Sequence, residues 1–308
     1  MRMPDDGKPD DASAWSVDAK LAIGMALFGS ATPISKIVTA AMPVFVGSLL
    51  RVALGALVLV PFIARDRREI GKLSRHDWLL ILVIALFGMF GFSALMLYGM
   101  AMVPGAVGAT VMSTTPAVTS AASMIFLGDR PTWRKTTSVV LAVVGVSILQ
   151  LGQGGEGRGG SLFLGSALVF AAVCCETIYT LIGKRASETV DPVLVAFLAA
   201  AIAVPAFIPF AIWQWHDFHP SQVGATAWLA LLWYGAGTLA LGSWFWYSGV
   251  SRAEGAVAAG FMGVMPASAL ILSYLLLDEP FRLVHLVGFA SVFAGVLLVA
   301  WESARANG

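Results

Sequence analysis

Glu176 stands inside an otherwise apolar run, Ser161–Ile182, where a carboxylate is out of place. At membrane depth an acid is expensive to keep, and it can carry a proton or meet a cation. The competing reading puts it near the cytoplasmic end of its helix, hydrogen-bonded locally. Arg51 lies in the outer half of a second apolar run, Pro43–Ala64. It could hold a substrate carboxylate, bond helix-end carbonyls, or snorkel to the interface. The third feature is aromatic: Gly242-Ser243-Trp244-Phe245-Trp246-Tyr247-Ser248. Trp244 lies one turn from Ser248 on the same helical face, and Ser248 falls 150 positions after Tyr98. If that face lines a cavity, Tyr98, Trp244 and Ser248 offer a stacking surface with a polar handle. Otherwise the rings pack in the bundle or against lipid.

The elements that would position these residues are written twice. Gly105-Ala106-Val107, Met112, Pro116, Leu127, Asp129 and Gly145 recur 150 positions later as Gly255-Ala256-Val257, Met262, Pro266, Leu277, Glu279 and Gly295. The same register runs back through Gly99/Gly249, Ser93/Ser243 and Trp78/Trp228. One gapless offset across two Pro, two acids and two Trp indicates an internal duplication. Each copy also carries small residues at helical spacing: Gly105, Ala109, Ser113, Ala117 and Ala121, then Gly255, Ala259, Gly263 and Ala267. Such stripes let helices approach closely in lipid. Pro116 and Pro266 should kink the two helices, because each removes the N–H that would bond the carbonyl of Met112 or Met262. Freed polar backbone is tolerated where it meets protein or a water-filled cavity. The stripe is thus a packing seam, a cavity wall or both, and Met112, Ser113 and Met262 become candidate substrate contacts.

Other chemistries lack their residues. Cys174 and Cys175 are adjacent, which suits neither a disulfide nor, without His neighbours, a zinc site. The four His fall in loops or at helix ends, and no H-E-x-x-H, G-x-S-x-G or Walker A sequence occurs. Gly152-Gln153-Gly154-Gly155-Glu156-Gly157 satisfies G-x-G-x-x-G, yet it follows an apolar helix rather than a strand, so it reads as a flexible linker. No enzyme activity, metal or cofactor is expected.

Hydrophobic residues make up 58% of the 308 and charged ones 12%. A soluble domain carries about a quarter charged residues, so the chain reads as an all-α integral membrane protein. Ten stretches approach the ~20 residues needed to cross a bilayer: Lys20–Thr39, Pro43–Ala64, Trp78–Met100, Gly105–Leu127, Thr136–Leu151, Ser161–Ile182, Pro192–Trp213, Ala225–Val250, Gly255–Leu277 and Val284–Trp301. With the N-terminus in the cytoplasm, only Lys36, Arg158 and Arg282 stand outside and only Arg51 within the membrane; the remaining Lys and Arg fall inside. That is the positive-inside pattern for both termini cytoplasmic. Five spans per copy is an odd number, so the copies must be inverted, the plan of many secondary transporters. The expected units are a disordered tail over 1–18, a first repeat over 19–151, a linker over 152–160 and a second repeat over 161–302. The tail has neither the basic n-region nor the cleavage site of a signal peptide. A net charge of +1 gives no basis for a nucleic-acid partner. The expected partners are the bilayer and a small molecule, and a monomer is compatible with the sequence.

Ten helices in two halves, each with a mid-span Pro, then an acid after the fourth or ninth helix and a Gly in the next, resemble the drug/metabolite transporter superfamily, EamA type. Gly128-Asp129 and Asp278-Glu279 are similar to that family's Gly-Glu position, and Arg51 falls where its members often have an Arg. The resemblance covers about residues 18–302 and is closest to YddG-type exporters of aromatic amino acids. It implies an inner-membrane bacterial exporter of amino acids working by alternating access. One half also resembles the four-helix small multidrug resistance proteins, whose membrane Glu lies in a first helix, as Glu176 does in the second copy. Proton-coupled export of lipophilic cations is therefore the alternative, and a signalling or scaffold membrane protein a third class. A reporter after the C-terminus should read cytoplasmic and one near Gly157 periplasmic. The same side for both would overturn the inverted arrangement.

Overall fold

The structure is a computed structural model that describes residues 11–63, 67–126, 132–152, 159–250, 252–253 and 261–306, and among these the regular elements are all helices. They are α1 (Asp11–Ala41), α2 (Val44–Leu59), α3 (Arg75–Met102), α4 (Gly105–Met112), α5 (Thr115–Phe126), α6 (Trp133–Gly152), α7 (Gly159–Ala186), α8 (Pro192–Trp213), α9 (Ala225–Val250), α10 (Val264–Leu277) and α11 (Leu283–Ala306). Segments of α1, α3, α7, α8, α9 and α11 are long and apolar enough to cross a membrane, and α2 and α10 are shorter apolar helices. The chain is thus a multi-pass membrane protein by composition and helix length. Several sequence features lie outside the described residues: Gly128-Asp129, Arg130, the linker residues 153–158, Gly255-Ala256-Val257 and Ala259.

Local chemistry explains the helix starts. The Ser74 hydroxyl accepts from the Asp77 amide while the Asp77 carboxylate accepts from the Ser74 amide, a capping box that opens α3. Asp191 caps α8 through the amides of Val193 and Leu194, with Pro192 in the first turn. Helix α1 already begins at Asp11, inside the stretch expected to be a disordered tail; acids in a first turn complement the helix dipole.

Two expected spans are broken rather than kinked. The fourth divides into α4 and α5 around Ser113-Thr114, and the ninth is interrupted at Met262-Gly263 before α10. Both breaks fall just ahead of a Pro, where the missing N–H orphans a carbonyl one turn back. Helices α3 and α9 each contain a π-helical segment, Ile84–Gly91 and Trp233–Leu241, about 150 positions apart.

Helices α6 and α11 pack on one another reciprocally. A Cβ on Gly145 would lie 2.5 Å from the Gly288 carbonyl, and one on Gly295 would lie 3.0 Å from the Ser138 carbonyl. Between them the Ser291 hydroxyl donates to the Leu141 carbonyl at 3.0 Å. Elsewhere the core is apolar: Leu80, Ile81 and Ile84 of α3 meet Leu194, Ala199 and Phe207 of α8 and Val52 and Leu59 of α2. Gly145→Ala should therefore lower stability by about 1–3 kcal/mol through overpacking. Gly183→Ala, where an added Cβ meets nothing within 4 Å, should cost nothing. Thermal unfolding of the purified proteins checks the pair, and equal behaviour would refute the close contact.

Candidate functional site

A cavity of about 540 Å³ lies between α1, α3, α4, α7, α9 and α10, within the ~300–1,000 Å³ range of small-molecule sites. Its wall is mostly apolar and ring-rich: Phe28, Phe92, Tyr179, Trp246 and Tyr247, with Met25, Met89, Met96, Met112, Met262 and Met265. Three charged side chains join them, Arg51, Glu176 and Lys184. Among the described residues neither α6 nor α11 contributes to it. Among the described residues no group of three His, Cys, Asp or Glu could hold a metal ion.

Glu176 projects from α7 to the break between α4 and α5. The Thr115 hydroxyl lies 2.9 Å from its carboxyl and 2.7 Å from the Met112 carbonyl. Met112 is the residue whose usual donor Pro116 removes, so Thr115 stands in for that donor. A hydroxyl has one proton to give. With Glu176 protonated, the acid can donate to Thr115 and leave the Thr115 proton on Met112. With Glu176 ionised, carboxylate and carbonyl compete for that proton. Protonation at Glu176 is thereby tied to the backbone break. One turn along α7, the Tyr179 ring lies across Gly88 of α3, where a Cβ would collide with it. Its hydroxyl shares a hydrogen bond with that of Tyr247 at 3.2 Å.

Arg51 is 7% exposed. Its Nη1 donates to the Ser93 hydroxyl at 2.5 Å, and its guanidinium carbon lies 4.2 Å from the Tyr234 ring centroid and 5.7 Å from that of Phe92. Among the described residues no carboxylate pairs with it.

Beyond one end of the cavity a set of hydrogen bonds ties the helices together and forms a seal between them. Glu279 accepts hydrogen bonds from the Gly105 and Ala106 amides at 2.5 and 2.9 Å, and Lys36 donates to the carbonyls of Met100, at 3.3 Å, and Val103. An anion thus sits on the N-terminus of α4 and a cation on the C-terminus of α3, the placement helix dipoles favour. Asp278 makes the seal reachable: it ends α10 in the left-handed region, φ 49, a conformation Asp tolerates and Gly favours. Gly105 packs against Leu277 and Ser273, while Ala109, one turn on, lines the cavity. The small-residue stripe is seam at one end and wall further in. At the other end the wall runs out through Gly183, exposed Lys184, Ser187 and Pro192.

The cavity brings together Met112, Ser113, Met262, Pro116, Pro266, Glu176 and Arg51. Tyr98, Trp244 and Ser248 lie off its wall. The Tyr98 hydroxyl accepts from Gln214 at 3.0 Å and its ring meets Phe45 edge-on. Trp244 packs on Phe62 and Phe245, and Ser248 donates to the Phe245 carbonyl. The 150-residue correspondence still holds on the wall, where Gly88, Met89 and Met96 match Thr238, Leu239 and Trp246, so the cavity face lies two residues from the expected one. Trp246 and Tyr247 belong to the ring-rich run already visible in the sequence. Tyr179 carries the signal of standing three residues after Glu176.

The EamA-like transporter family matches the chain twice, over residues 16–151 and 163–301. "Uncharacterized transporter YetK" of Bacillus subtilis (strain 168) is 30% identical over 90% of this chain and 84% of its own length. A "Probable terminal-alkyne amino-acid exporter" of Streptantibioticus cattleyicolor is 25% identical over 82% of each. A solved crystal structure shares the fold, with a TM-score of 0.64 over 95% of this chain and 98% of its own at 17% identity. The chain belongs to the EamA-like transporter family, whose members are transporters and not enzymes.

Proposed function

We propose that the chain is a secondary-active exporter of small metabolites, apolar and aromatic amino acids foremost, in the inner membrane of a bacterium. The observation that carries this reading is one cavity lined by Arg51, Glu176 and several rings, with the helices tied together beyond one end and exposed Lys184 at the other. A relative described as an amino-acid exporter supports the substrate class. The proposed architecture is two inverted five-helix repeats with both termini cytoplasmic. The two family matches, the paired π-helical segments and the reciprocal α6–α11 contacts support it. The open end, with Lys184, is then cytoplasmic, and the seal of Lys36 and Glu279 is periplasmic.

Alternating access follows if the repeats exchange conformations. Lys184 stands near the end of the first helix of the second repeat, and Lys36 stands a little further from the end of the first. In the opposite state Lys184 reaches the carbonyls of Val250 and Ala253, the counterparts of Met100 and Val103, while the outer seal opens. Met112, Ser113 and Met262 contact substrate with Trp246 and Tyr247. Glu176 carries the coupling proton, in a wall whose other titratable or charged groups among the described residues are Arg51, Tyr179, Lys184 and Tyr247. The same carboxylate among rings favours a second reading, proton-coupled export of lipophilic cations, because aromatic faces attract cations as well.

Counterflow in liposomes with a panel of amino acids and organic cations separates the two. Exchange of amino acids alone supports the first reading, exchange of cations alone the second, and exchange of neither removes both. Glu176→Gln should abolish any dependence of flux on a pH gradient while the protein stays folded; an unchanged dependence would leave Glu176 a packing residue. Glu279→Gln, in a variant lacking Cys174 and Cys175, should increase labelling of Ala109→Cys by an impermeant maleimide added on the periplasmic side. No increase would mean that the carboxylate does not hold the seal.

A further inference from the structure

Arg51 has three polar edges to satisfy in a place where water is scarce. Nη1 is used by Ser93 and the flat face is covered by Tyr234, but buried Nε has no hydrogen-bond partner. Two neighbours are in the same condition: the Ser48 hydroxyl, one turn back on α2, and the Tyr234 hydroxyl. Buried polar groups in native proteins nearly always find a partner, and a cation so enclosed is costly without an anion. Arg51 is nonetheless one of the residues that line the cavity, with the Phe92 ring beside its guanidinium.

The geometry points to Arg51 as the group that takes the carboxylate of the transported molecule, which is then an α-amino acid and not a bare amine. This rests on the reading of the cavity as the transport site. The edge that carries Nε is the one a carboxylate meets in a two-pronged bond, a geometry that Lys cannot reproduce. A phosphate would call for more positive charge than this wall holds, since the other cation, Lys184, stands at the exposed end. The apolar body of the ligand lies along Phe92 and toward Trp246.

The test uses the full chain in liposomes with L-phenylalanine, L-phenylalaninamide and phenethylamine as probes, comparing wild type with Arg51→Met and Arg51→Lys. Wild type should prefer the acid. In Arg51→Met the acid-to-amide ratio should fall roughly tenfold or more, the worth of a charged hydrogen bond, with the amide and amine little changed. In Arg51→Lys the ratio should fall severalfold, because the charge remains and the fork does not. These ratios do not depend on how much of a variant folds. Equal losses of acid and amide in both variants would overturn the assignment and make Arg51 a clamp between α2, α3 and α9. Failure of the wild-type protein to take any probe would overturn the amino-acid reading and this assignment together.

Discussion

A backbone that breaks inside hydrocarbon must have its freed carbonyls and amides taken up by the protein itself. An unsatisfied group there costs several kcal/mol, whereas a side-chain hydrogen bond between helices contributes only about 1–2 kcal/mol. A side chain that supplies the missing partner therefore stabilises such a break or helix end. Thr115 takes the Met112 carbonyl, Lys36 takes the end of α3, and Glu279 takes the start of α4. The repairing groups are also those that join the wall or close its end. Site and scaffold are thus coupled through the same few hydrogen bonds.

Legibility in the sequence depended on range. The apolar stretches, the 150-residue offset, the two Pro positions and the two intramembrane charges could be read along the chain, because each is local or periodic. That the Pro positions mark breaks and not kinks could not be read, nor could the cavity face. The wider turns of Ile84–Gly91 and Trp233–Leu241 shift the phase of the α-helical turns beyond them. The sequence could place Tyr98, Trp244 and Ser248 on corresponding faces, but not decide that the neighbouring face, with Met96, Trp246 and Tyr247, is the one that turns inward. The Glu279–Gly105 bond spans 174 residues, and nothing in either segment names the other. An acid after a helix is visible in sequence; the amides it caps are not.

The repeat is faithful in packing and unfaithful in charge. Gly249 rests on Leu21 as Gly99 rests on Val169, which aligns Glu176 of α7 with Phe28 of α1. Arg51 of α2 aligns with Ala200 or Ala201 of α8. On the proposed inverted-repeat reading, the two halves can interchange shapes because their contacts are alike. The acid and the guanidinium each occur in one half, so a ligand held by them sits away from the axis and always in the same orientation.

Among the described residues the reciprocal seam of α6 and α11 contributes nothing to the cavity wall. This seam therefore holds the halves together away from the wall, in addition to the contacts that α1, α2, α3 and α4 make with α7, α8, α9 and α10. On the proposed transport reading, a substitution at this seam alters how firmly the halves hold together, and one on the wall alters what they carry, with little cross-talk between distant sites. Such a protein can drift toward new cargo without first loosening its frame, and a gain in frame stability leaves room for a destabilising change on the wall. A seam kept apart from the wall is a physical basis for evolvability.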